Sequence, residues 1–178
     1  MTLTSAAAGR RTGLVVLLPE AEPVVGAWRA ELDPAAANGM PAHITVLYPW
    51  FRARELEPDL LGELGRVTAG RPAFDLTFDR VGRFPETLWL HPNPPEPFVE
   101  LTEAVRRRWP EHPPFGGRFD VVIPHLTIGD RIDPDAHGHV VDEIEQRLPV
   151  RGPVAELTLM AQDSAGRWFV HSAYPLGG

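Results

Sequence analysis

Two tripeptides, His43-Ile44-Thr45 and His125-Leu126-Thr127, each set an imidazole and a hydroxyl two residues apart. An imidazole gains or loses a proton near neutral pH, and a hydroxyl can donate a hydrogen bond to an anionic oxygen. Both tripeptides lie in β-rich runs, at residues 42–48 and 121–128. In extended chain, residues i and i+2 share a face roughly 6.5–7 Å apart. His43 is therefore expected beside Thr45, and His125 beside Thr127, while Ile44, Val46, Leu126 and Ile128 pack into the core. Seven histidines and ten threonines in 178 residues give about 0.4 His-x-Thr strings by composition alone. Two of them, in matching apolar–His–apolar–Thr–apolar contexts, form a strong paired signal.

A length of 178 residues fits one compact domain that buries about 70% of its unfolded surface. There is no cysteine, hence no disulfide, thiolate nucleophile or Cys-ligated zinc. The net charge is −7, and all seventeen basic residues are arginine. Such a chain is poorly suited to wrapping a long polyanion, yet arginine can hold one or two phosphates bidentately. Arg10-Arg11 before Gly13–Leu18 resembles an export signal, but the apolar run is short and ends at Pro19-Glu20. It reads as the first core strand, and a cytoplasmic, monomeric protein with no membrane span is expected.

The elements that must position the two motifs follow from periodicity. Residues 1–11 are expected to be a flexible tail ahead of a single domain, 12–178. Strands are predicted at 12–18, 74–78, 88–91 and 154–161, with a closing hairpin through 163–166 into 167–174. Helices are predicted from the stripes Val24, Val25, Trp28, Leu32; Leu56, Leu60, Leu61, Leu64, Val67; Phe98, Leu101, Val105, Trp109; and Val140, Val141, Ile144, Leu148. Each half then reads strand, helix, His-x-Thr strand, helix, strand. The motifs are 82 positions apart, and the strands starting at 74 and at 154 or 155 are offset by about the same amount. Two such halves about a pseudo-twofold axis would bring both pairs to one cleft.

These residues resemble the 2H phosphoesterase superfamily, in particular its 2′-5′ RNA ligase-like and cyclic phosphodiesterase branch. The resemblance rests on residues 43–49 (HITVLYP) and 124–128 (PHLTI), with looser matches at 82–90 and at Gly166-Arg167-Trp168. It runs from about residue 12 to 176. It implies an α+β, bilobal fold: two pseudo-symmetric antiparallel sheets flanked by helices, with a central cleft. It also implies a phosphodiesterase that needs no metal or other cofactor and acts on 2′,3′-cyclic phosphates or 2′,5′ linkages. The partner would be a small nucleotide or an RNA terminus with a cyclic phosphate. Carried over residue by residue, His43 and His125 are the acid–base pair, and Thr45 and Thr127 are phosphate ligands. His43 is taken as base and His125 as acid for hydrolysis. Reversible 2′-5′ ligation and a non-catalytic nucleotide or RNA-end binding module are the alternatives.

Three further residues are candidates for substrate binding: Arg83 for phosphate, Phe84 for stacking on a base, and Tyr48 on the cleft wall. Arg106-Arg107-Arg108 reads as a solvated helix end favoured by the helix dipole. His137-Gly138-His139 has spacing suited to a metal but lacks further ligands nearby, so no metal site is expected.

Overall fold

The computed structural model describes residues 10–177. Eight strands form one antiparallel sheet: β1 (Thr12–Leu17), β2 (His43–Leu47), β3 (Phe74–Phe84), β4 (Thr87–Asn93), β5 (Leu126–Asp130), β6 (Val150–Val154), β7 (Glu156–Gln162) and β8 (Trp168–Pro175). Their order across the sheet is β6-β3-β4-β5-β2-β1-β7-β8. The helices are α1 (Glu22–Leu32), α2 (Pro34–Ala37), α3 (Pro58–Ala69), α4 (Glu96–Arg108) and α5 (Gly138–Glu145).

The sheet corrects the expectation of two separate sheets. It divides into two four-stranded halves, joined where β2 meets β5 through a single register pair, Ile44 opposite Leu126. Each half mixes strands from both ends of the chain: β3 and β4 lie with β5 and β6 in one, and β1 and β2 lie with β7 and β8 in the other. This exchange binds the halves into one sheet, and the sparse β2–β5 ladder is a seam rather than a gap between lobes.

Alternation gives the sheet two unlike faces. Leu14, Val16, Ile44, Val46, Leu88, Leu90, Leu126 and Ile128 are buried on one side. There they share a core with Val25 of α1, Leu64 of α3, Leu101 and Val105 of α4, and Ile144 of α5. Val15 faces the other way, in a smaller cluster with Met40 and Met160 and with Leu17 and Trp168 against it. His43 and Thr45 fall on this second face, because Ile44 and Val46 take the first.

Several sequence expectations need adjustment. Strand β5 begins at Leu126, not at residue 121, and residues 118–125 are irregular. Pro124 supplies no N–H for a ladder, and Val121 and Ile123 are exposed. Strand β6 and helix α2 have no counterpart in the periodicity, and β3 is eleven residues long. The expected tail falls, for residues 1–9, outside the described residues. Arg10 and Arg11 are held: their carbonyls accept from the N–H groups of Ala53 and Gln162.

Gly82 on β3 lies under the indole of Trp89 on β4. A Cβ at position 82 would come within 2.4 Å of that ring, and the neighbouring Phe84 ring stacks on Trp89 at 4.8 Å. Gly82→Ala is therefore expected to cost about 1–3 kcal/mol through overpacking and to push Trp89 against His125. Chemical denaturation would measure the loss, and an unchanged midpoint would contradict this packing.

Candidate active site

With Ile44 opposite Leu126 in antiparallel register, the flanking positions face each other across the seam: His43 meets Thr127, and Thr45 meets His125. The two histidines lie on the diagonal, where residues stand about 7–8 Å apart and their Cβ atoms somewhat closer. That spacing suits two groups that bracket a phosphorus atom. All four side chains line one cavity of about 410 Å³, together with Arg11, Tyr48, Arg131 and Trp168. A second cavity of about 500 Å³ shares His125, Thr127, Phe115 and Asp130 with the first, and is otherwise lined largely by Phe84, Phe119, Val121, Val122 and Ile123.

Both imidazoles are held in the same way. Nδ1 of His43 lies 2.8 Å from the Pro41 carbonyl oxygen, and Nδ1 of His125 lies 2.7 Å from that of Ile123. A carbonyl oxygen only accepts, so Nδ1 carries the proton in each ring and Nε2 is left to meet a substrate. The repeat thus extends beyond residue identity to the bond that sets each tautomer. Neither threonine hydroxyl is engaged by another protein group among the described residues, so both can donate to a ligand.

The surroundings differ. Burial pushes His43 down to about 4, helped by the Arg29 guanidinium and by the His125 ring, against the Pro41 bond, which raises it. Burial also lowers His125, but the Ile123 carbonyl and the Asp130 carboxylate oppose that shift. His43 is thus held neutral, while His125 has a carboxylate that favours its charged form. Asp130 is itself fixed by the Thr87 hydroxyl, which donates at 3.2 Å.

Arg29 is the residue that the sequence reading missed. It is 2% exposed. Its Nε donates to the Thr127 carbonyl at 3.0 Å, Nη1 to the Met40 carbonyl at 3.3 Å, and Nη2 to the Asp33 carboxylate at 2.8 Å. One side chain from α1 therefore braces the second motif and the chain entering the first, beside a seam with little ladder of its own. Thr102 of α4 plays a similar part by donating to the Val46 carbonyl at 3.0 Å. A signal for Arg29 was present: it sits four residues after Val25, on the apolar stripe of α1, with Asp33 a further four along.

The other sequence candidates separate. Tyr48 lines the main cavity, where its hydroxyl accepts from Arg11 at 3.0 Å. Phe84 lines the second cavity, with its ring edge-on to His125 at 5.3 Å. Arg83 borders neither; it is exposed and pairs with Asp135 at 3.0 Å, because its neighbours Gly82 and Phe84 take the site face of β3. Phe115, which no motif marks, lines both cavities on a left-handed backbone (φ 52). Its N–H donates to the Tyr48 carbonyl at 2.6 Å, which docks the loop after α4 onto the end of β2. His137 bonds the Asp133 carbonyl, and His139 packs edge-on against Trp28. No helix among the described residues is long and apolar enough to cross a membrane.

Comparison with known proteins bears on the fold and the family. A curated Geobacillus kaustophilus (strain HTA426) protein named "Putative phosphoesterase GK0864" is 24% identical over 93% of this chain and 96% of its own length. A Bacillus cereus (strain G9842) phosphoesterase of the same designation is 25% identical over 84% and 86%. Among solved structures, E. coli LigT complexed with 3′-AMP superposes with a TM-score of 0.65 at 20% identity, over 95% of this chain and 99% of LigT. LigT has also been solved with ATP and with NADP+. TT0787 of Thermus thermophilus gives a TM-score of 0.65 at 22% identity, over 94% and 98%. These superpositions establish a shared fold. The sequence profile of the 2′-5′ RNA ligase superfamily matches residues 17–166. That match runs from the end of β1 to the turn before β8 and takes in both His-x-Thr strands, so the chain belongs to the 2′-5′ RNA ligase superfamily.

Proposed function

We propose that the protein is a phosphodiesterase that acts on 2′,3′-cyclic phosphates or 2′,5′-phosphodiester linkages of nucleotides or RNA ends. The observation that carries this reading is a pair of imidazoles on one cavity, each with Nδ1 committed to a backbone carbonyl and Nε2 free. In hydrolysis of a cyclic phosphate, Nε2 of His43 takes a proton from water as the oxygen attacks phosphorus. The bond to one ribose oxygen breaks, and that oxygen receives the proton from Nε2 of His125. Thr45 and Thr127 donate hydrogen bonds to the non-bridging oxygens, where charge is held in the transition state. With a 5′-hydroxyl in place of water, the same pair would join a 2′,5′ linkage: His43 takes the hydroxyl proton, the bond from phosphorus to the 3′ oxygen breaks, and that oxygen receives the proton from His125.

Both protons move through the two imidazoles, so the scheme includes no metal. Among the described residues no group of three or more His, Asp or Glu is placed to hold one. LigT's complexes with 3′-AMP, ATP and NADP+ support a nucleotide as ligand.

The pH dependence follows from the two environments. Productive free enzyme has His43 neutral, so kcat/KM rises as pH climbs through about 4. It also has His125 protonated, so kcat/KM falls as pH passes a value held below the ordinary 6.5. Turnover of an adenosine 2′,3′-cyclic phosphate in EDTA is expected to peak between those limits. Activity that climbs steadily to pH 8 would refute this division of roles. Tight binding without turnover across cyclic and 2′,5′-linked nucleotides would favour the binding module.

A further inference from the structure

The two cavities that meet at the catalytic cluster differ in charge. In the second cavity, beyond the shared His125, the charged lining residues are Glu86 and Asp130, both acidic, set among Phe84, Phe119 and Ile123. Phe119 is 55% exposed and Ile123 46% exposed. The main cavity shares Asp130 but also carries two arginines, Arg11 and Arg131, where the second has none. Arg11 pairs with no carboxylate among the described residues, and donates to the Tyr48 hydroxyl at 3.0 Å. Arg131 is 82% exposed, with Asp130 at 3.8 Å as its acid partner. Asp33, also on this wall, is neutralised by Arg29 at 2.8 Å.

Ribose has a matching asymmetry. When its 2′ and 3′ oxygens are held at the phosphorus, C1′ and C4′ lie on opposite sides of the ring, so the base and the 5′ oxygen leave in opposite directions. An anion sent into the second cavity would lose hydration against apolar side chains and face two carboxylates. A base sent there would find aromatic rings to stack on. Arginine suits a phosphate because its planar fork engages two oxygens at once.

Resting on the phosphodiesterase reading above, we propose that the apolar cavity takes the base and that Arg11 and Arg131 take a phosphate on the 5′ oxygen. The preferred substrate is then a nucleoside 2′,3′-cyclic phosphate carrying a 5′-phosphate or 5′-phosphodiester, rather than the 5′-hydroxyl nucleoside.

The test is a ratio. Wild-type enzyme is expected to show kcat/KM about tenfold higher for 5′-phosphoadenosine 2′,3′-cyclic phosphate than for adenosine 2′,3′-cyclic phosphate, the increment of one charge-assisted contact. Arg11→Gln and Arg131→Gln should each bring that ratio towards one, and added salt should shrink it in wild type. Equal rates on the two substrates in wild type, or a ratio untouched by both substitutions, would overturn the proposal while leaving the phosphodiesterase reading intact. If neither substrate turns over, calorimetric affinities for adenosine 3′-phosphate and adenosine 3′,5′-bisphosphate decide it on the same ratio. Phe119→Ala should weaken both ligands alike. Loss of the 5′-phosphate preference in that variant, with the arginine variants unaffected, would reverse the orientation and sink the proposal.

Discussion

His43→Ala and His125→Ala are each expected to lower kcat on a 2′,3′-cyclic nucleotide by about 10²–10⁴-fold, the range for loss of one positioned acid or base. Affinity for a nucleotide 3′-phosphate should change far less, because the proposed phosphate contacts also include the Thr45 and Thr127 hydroxyls. The double variant should lose little beyond either single one, since a base without its acid partner completes no turnover. Single-turnover rates paired with calorimetric affinity measure both quantities. A strict multiplication of the two single losses would mean that the imidazoles act independently, against their placement on one cavity across the β2–β5 seam.

The pH profile separates their roles further. His43 is held low first by burial and then by Arg29, with His125 a smaller contributor. In His125→Ala the acidic limb should therefore remain while the alkaline limb disappears. In His43→Ala the acidic limb should go instead.

Arg29→Met is expected to have the second largest effect, on stability and on the acidic limb together. It removes the donors to Thr127, Met40 and Asp33 and leaves the buried Asp33 carboxylate without its cation. Breaking a buried pair in this way costs about 3–5 kcal/mol. The charged or titratable groups around His43 are Glu22, Arg29 and Asp33 from α1 and its end, Arg11 ahead of β1, Tyr48 after β2, and His125, Asp130 and Arg131 around β5. Loss of the guanidinium leaves acids among the nearest of these, so His43 moves up from about 4 and the acidic limb moves up with it. Arg29→Lys keeps the charge without the planar fork. It should hold the limb near its wild-type position while kcat falls, because the Thr127 carbonyl loses its brace. Denaturant midpoints and pH–rate profiles of the two variants together distinguish these effects. A limb that stays put in Arg29→Met would show that the side chain acts through packing alone.

Much of the site was legible before folding because its parts are local. The alternation His43-Ile44-Thr45-Val46 assigns each residue to a face of the strand with no tertiary information, since only the apolar set can enter a core. The helix stripes of α1, α3, α4 and α5 were visible for the same reason, and their apolar residues fill the core as expected. Strand β6 was hidden by Gly152 and Pro153 in its middle, residues that weaken a strand signal; as an edge strand it tolerates them. Residues 121–123 misled in the opposite direction, because β-branched residues next to a proline read as strand although they form an exposed wall of the apolar cavity.

Residue order alone specifies which side chains are candidates for the chemistry, that they occur as two matching pairs, and the face each pair occupies. Packing in three dimensions was needed to bring His43 and His125 together on a diagonal across one seam, and to complete the site with a buried arginine from α1 and a loop phenylalanine at position 115. It also separated Arg83 from the cleft. The physical reason is range. Strand periodicity is set within a few residues by backbone geometry, whereas the partner of a buried guanidinium 98 positions away is chosen only when the packed core brings the two halves together.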